Sequence, residues 1–115
     1  MKKVHQNKHN NCLSACVASF LEKDIDEVPI FVKEENWAAS LEKYLEKRGY
    51  RADVVGYAPR GYSIMIVRVP SVGKAHAVIS KDGQVWHDPA KKGKITQKDL
   101  DGYRMDYFIV IREWN

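Results

Sequence analysis

Within twelve positions near the start of the chain, His5, Gln6, His9, Cys12 and Cys16 gather two imidazoles, one carboxamide and two thiols. Three kinds of chemistry use such a set. A thiol at the mouth of a helix can act as a nucleophile, because the helix dipole and a nearby cation favour the thiolate. Cysteines and histidines together, with His87 further along, can hold zinc. Alternatively, the cysteines are small apolar residues of a core helix. The chain has neither a CxxC nor an HExxH arrangement, so no metal and no organic cofactor is expected. Cys16 falls on the stripe Leu13, Cys16, Val17, Phe20 and Leu21, at i, i+3, i+4, i+7 and i+8, and reads as buried. Cys12 lies just inside the helix start, so of the two thiols it is the candidate for chemistry. The pair is four apart on one helix face, which disfavours a disulfide.

A thiol that reacts needs a base, and the stretch HAVISKDGQVWHDPA, residues 76 to 90, offers one. Its central turn has two readings. A two-residue turn at Asp82-Gly83 pairs Lys81 with Gln84, sets His76 against Pro89 and turns Asp88 to the other face. A three-residue loop pairs Ser80 with Gln84 and sets His76 directly opposite Asp88. We adopt the second register, in which the carboxylate holds the imidazole in one tautomer. It also places Val78, Trp86 and Asp88 on one face with His76, while His87 points away.

Positioning these groups requires a helix and a sheet. After an extended lead-in over residues 1–10, Asn11 is a suitable N-cap for a helix running to about Glu22. DIDEVPIFV is a connector. A second helix from about Asn36 to Arg48 buries Trp37, Leu41, Tyr44 and Leu45 and stops at Gly49. The period then changes, and RADVVGYA, YSIMIVRVP, HAVIS, QVWHD and MDYFIVIRE read as strands. Thr96 and Asp99 in TQKDL suggest one capped helical turn. The expected fold is α+β, with N-terminal helices packed on an antiparallel sheet of about five strands, as one domain over residues 1–115.

The 115 residues suit one hydrophobic core, and no apolar run approaches membrane-spanning length. The basic N-terminus continues into a polar stretch rather than an apolar one, so a cytoplasmic address is expected, in the encoding organism or a host cell. A net charge of +4 arises from 19 basic and 15 acidic residues, with lysines grouped at 2–8 and 91–98. Without a nucleic-acid motif, that balance reads as solvated basic loops, and a nucleic-acid partner is not expected.

Gln6 five residues before Cys12 at a helix start, His76 opening a strand as HAVI, and Asp88 followed by Pro89 resemble the papain-like double-glycine leader peptidases. The likeness covers roughly residues 4 to 112 and is nearest to small stand-alone relatives of phages and bacteria. It implies a papain-like fold and a cysteine peptidase. Cys12 would be the nucleophile, His76 the general base and then acid, Asp88 its orienting group, and Gln6 an oxyanion donor together with the N–H of Cys12. Leu13 stands where these peptidases usually have glycine, which is expected to reshape the substrate channel, and without an expected transporter domain the resemblance does not imply the substrate. Trp86, Leu13, Gly61 and Tyr62 are the expected walls of the substrate site. The expected partner is a peptide or protein, with a glycine-rich cleavage site as one form suited to a narrow channel. Two function classes follow: a hydrolase of peptide, isopeptide or related amide bonds, and a catalytically silent protein that captures a peptide or partner.

Overall fold

The first helix, α1 (Cys12–Leu21), is buried almost all round, with Leu13 through Ser19 inside. Its two buried serines are satisfied locally. Ser14 donates to the carbonyl of Pro29 at 2.5 Å, tying down the connector. Ser19 donates to Ala15 at 2.9 Å and accepts from the N–H of Val4 at 3.0 Å, laying the N-terminal segment across the helix. These bonds make an apolar helix interior compatible with hydroxyl groups. The helix ends at Glu22, whose φ of 54° is left-handed, while the N–H of Lys23 reaches the carbonyl of Ala18 at 2.9 Å.

The computed structural model describes residues 1–69 and 74–114. The connector forms two 3-10 turns, Ile25–Glu27 and Phe31–Lys33. Helix α2 (Trp37–Glu46) follows, with Asn36 accepting from the N–H of Ala39 at 3.3 Å as its cap. Leu41, Tyr44 and Leu45 are buried and Trp37 is half-buried. The remaining elements are β1 (Tyr50–Val55), β2 (Tyr62–Val69), β3 (Lys74–Lys81), β4 (Gln84–His87), α3 (Gln97–Gly102) and β5 (Arg104–Glu113). Pro70, assigned to the second strand from sequence, lies outside the described residues. Thr96 and Asp99 cap α3 reciprocally.

The five strands form one antiparallel sheet in the order β1-β5-β2-β3-β4. Helices α1 and α2 share a core with Ile64, Ile66, Ala77, Ile79 and Ile109 on one sheet face. A smaller cluster of Met65, Val67, Val78 and Phe108 fills the other. The fold is therefore α+β, with both sheet faces contributing buried residues. Among the described residues, no helix is long and apolar enough to cross a membrane.

The β3–β4 hairpin corrects the adopted register. Lys81 pairs with Gln84, and Asp82 and Gly83 have φ of 52° and 82°, which is the two-residue type I′ turn. Gly83 is required on two counts. Its φ is positive, and a Cβ there would lie 2.7 Å from the Cβ of Ala58. One step later a bulge intervenes: Ser80 pairs with Val85 but Ile79 pairs with His87, leaving Trp86 as the extra residue. The extra residue reverses the alternation. Continuing past Ile79–His87 sets Asp88 level with Val78, one step along the same face from His76. The histidine and aspartate thus share a face diagonally rather than directly opposite each other.

Candidate active site

Cys12 is the first residue of α1, and α1 packs on β3. The N-terminus of this helix is open because Asn11 does not cap it, contrary to the sequence expectation. The Asn11 side chain turns back instead, accepting from the N–H of Lys8 at 3.1 Å and donating to Asn7 at 2.7 Å. It braces a turn in a lead-in expected to be extended. The competition is local: an asparagine side chain can hold a turn as readily as a helix end. The first N–H groups of α1 are left to face the thiol side, where they favour negative charge.

His76 on β3 reaches Asp88, just beyond β4, with Nε2 2.6 Å from Oδ1. Asp88 occupies Nε2, so Nδ1 is the nitrogen available to Cys12, whose thiol lies close enough to the ring to influence its titration. Burial works against a charged thiolate at Cys12. Hydrogen bonds from His76 and from the N–H groups of Ala77 and Leu13, with the imidazolium charge, outweigh it and hold the thiol below its ordinary range. Burial likewise opposes the imidazolium, but the bonds to Asp88 and Cys12 and the Asp88 charge raise His76 to about 9. A lowered thiol beside a raised imidazole favours the thiolate–imidazolium arrangement over the neutral thiol–imidazole pair. Cys16 is fully buried, and burial raises its thiol well above the ordinary range.

Asp88 is only 5% exposed, and three donors support its charge. Besides His76, the N–H of Ala90 donates at 2.9 Å and the hydroxyl of Tyr103 donates to Oδ2. Burial alone would raise this carboxyl, but these contacts lower it. Tyr103, at the end of α3, escaped sequence reading. Its only signal there was its place after a short capped helix, and the chain must fold before residue 103 meets residue 88. Tyr103→Phe is expected to leave Asp88 with one donor fewer and to destabilise the fold by roughly 1.5–3 kcal/mol, the range for a hydrogen bond to a charged group. Because Asp88 then moves back up toward ordinary carboxyl values, acid unfolding begins at higher pH than in the wild type. Circular dichroism against pH checks both shifts.

Gln6 lines the same cavity as Cys12, His76, Asp88 and Tyr103, a hollow of about 710 Å³. The N–H of Gln6 donates to the carbonyl of Pro89 at 3.0 Å, fixing the lead-in beside the residue that follows Asp88. The Gln6 side chain donates from Nε2 to the carbonyl of Lys8 at 3.2 Å, leaving a second N–H free, while Oε1 is buried without a partner. Cys12 and His76 also line an apolar slot of about 130 Å³, walled by Leu13, Val32, Trp37, Ile66 and Tyr107. The thiol therefore borders both a hollow lined in part by charged and polar side chains and an apolar slot.

Of the four expected substrate walls, Leu13 lines that slot, whereas Trp86, Gly61 and Tyr62 line neither cavity at Cys12. The bulge turns Trp86 to the helix-side core, where its ring meets Tyr62 edge-on with centroids 5.0 Å apart. Gly61 is engaged by the hairpin turn, donating to Asp82 Oδ1 at 2.7 Å and accepting from the N–H of Asp82 at 2.9 Å. His87 is buried and bonds through Nε2 to the carbonyl of Val4 at 2.7 Å, and its burial lowers its pKa. That keeps it neutral and structural. Among the described residues, no three His, Cys, Asp or Glu side chains converge as a metal-binding set.

Compared with protein-family models, curated proteins and solved structures, the chain finds no match in any of the three.

Proposed function

We propose that this protein is a cysteine hydrolase of papain-like design that cleaves an amide bond through a thioester, in the manner of the double-glycine leader peptidases it resembles. The observation that carries the reading is one cluster: a thiol at an open helix N-terminus, an imidazole lining the same cavities beside it, and a buried carboxylate 2.6 Å from a ring nitrogen. In this mechanism the Cys12 thiolate attacks the amide carbon and a C–S bond forms. The oxygen, now negative, is held by the N–H of Cys12 and the free N–H of Gln6. Loss of one such donor typically costs about 10²–10³ in rate. His76 gives its proton to the nitrogen as the C–N bond breaks, and the amine leaves. Water then attacks the thioester, His76 takes its proton, and the acid and the Cys12 thiolate are released. Asp88 stays ionised throughout and holds the ring.

Incubation with a mixed peptide pool, followed by mass spectrometry of peptides and protein, tests the reading. Expected are new peptide termini and an acyl adduct on Cys12, both absent from Cys12→Ala. Termini that persist in Cys12→Ala would overturn it. So would peptides that co-purify uncleaved with the wild type, the mark of a silent binding protein on the same fold.

A further inference from the structure

We propose that the hollow beside β4 and the loop following it docks an acidic segment of the substrate polypeptide, next to the catalytic thiol. This deepens the hydrolase reading and rests on it for the nature of the ligand. The hollow, of about 450 Å³, is rimmed by Lys3, Lys91, Lys92 and Lys94 over an apolar floor that includes Val85 and Ile95. It adjoins the catalytic cavity, since Asp88 and Lys91 line both. The one carboxylate in its wall, Asp88, is already bonded to His76. Lys91 is bonded to Asp99, but Lys92 and Lys94 are exposed and enter no ion pair among the described residues.

The charge of the chain is also polarised. Between Glu22 and Glu46 acidic residues outnumber basic ones eight to three, whereas between Gln84 and Lys98 there are four lysines and one aspartate. A concave surface of one sign focuses its field outward and steers a ligand of the other sign. The choice of peptide over single-stranded nucleic acid comes from Trp86. Nucleic-acid grooves of this kind need an open aromatic face for base stacking. Here Lys3 sits over the Trp86 ring at 4.4 Å from its centroid, and Tyr62 meets the same ring at 5.0 Å. An acidic peptide needs no such face. Its carboxylates meet the lysines while an apolar side chain rests on the floor.

The test is fluorescence anisotropy with a fluorescein-labelled peptide of alternating Glu and Leu, run beside a single-stranded oligonucleotide of equal charge. Expected is peptide binding to the wild type that weakens with added salt and falls by roughly tenfold in Lys92→Glu/Lys94→Glu. No peptide binding to the wild type, equal binding by the double variant, or tighter binding of the oligonucleotide would each overturn the docking proposal. Iodoacetamide labelling of Cys12 separates this failure from failure of the hydrolase reading. Labelling at wild-type rate with peptide binding lost in the double variant supports docking at an intact site. A Cys12 that reacts only at alkaline pH, with lysine-dependent peptide binding intact, would sink the hydrolase and leave the docking surface standing.

Discussion

In His76→Ala, alkylation of Cys12 by iodoacetamide at about pH 6.5 is expected to slow by roughly 10–100-fold, and the proposed hydrolysis by about 10²–10⁴-fold. The sign follows from what remains when the ring is removed. Burial still disfavours the thiolate, while the His76 hydrogen bond and charge that offset it are gone, so the thiol rises. The N–H groups of Ala77 and Leu13 stay in place and preserve part of the effect. Cys16, fully buried four residues away, is an internal control that stays unmodified while the protein is folded. Site-resolved mass spectrometry across pH distinguishes the two thiols. A Cys12 whose labelling curve is the same with and without His76 would end the case for an activated nucleophile.

Asp88→Ala is expected to be the most destabilising single change at the site, by about 3–5 kcal/mol near neutral pH, the usual cost of removing one partner from a buried charged pair. It strands three donors: the His76 ring, the Tyr103 hydroxyl and the Ala90 N–H. The pH dependence has a definite sign at each end. The folded pKa of Asp88 is lowered, so its contribution is present above the unfolded value of about 4 and is lost as pH falls through the folded value. That of His76 is raised to about 9, so its contribution is full below its unfolded value of about 6.5 and is lost as pH rises through about 9. The stability gap between wild type and Asp88→Ala is therefore widest from roughly pH 4 to 6.5 and narrows toward both extremes. Urea unfolding at acid, middle and alkaline pH measures it. Asp88→Asn separates charge from shape. An amide can still accept from His76, so less stability is lost, but without the negative charge the imidazolium gives up its proton at lower pH and the alkaline limb of Cys12 reactivity moves down.

Much of this architecture was legible in the sequence because local rules agree with the final packing. Helix α1 follows its 3.6-residue apolar stripe, the five strands follow β-branched and aromatic runs, and α3 follows the Thr96/Asp99 pair. The candidate chemistry was legible for the same reason, as a thiol at a helix start and an imidazole and carboxylate on one hairpin. Three features were not. Asn11 chose a turn over a cap, a balance decided by the loop it sits in. Tyr103 reaches Asp88 from fifteen positions further along the chain, and no periodicity encodes such a contact. Trp86 turned away from the site because of one extra residue in β4.

That extra residue marks where the sequence's authority ends. By itself the sequence determined which segments are helical or extended and which residue types can supply nucleophile, base and orienting acid. Those properties depend on neighbours along the chain. The tertiary structure alone decided that His76 and Asp88 meet diagonally across a bulge rather than directly opposite, that Asp88 gains a tyrosine, and that the thiol borders both a partly charged hollow and an apolar slot. In a strand of period two, a single inserted residue exchanges the faces, and whether it is inserted is settled by packing on both sides of the sheet.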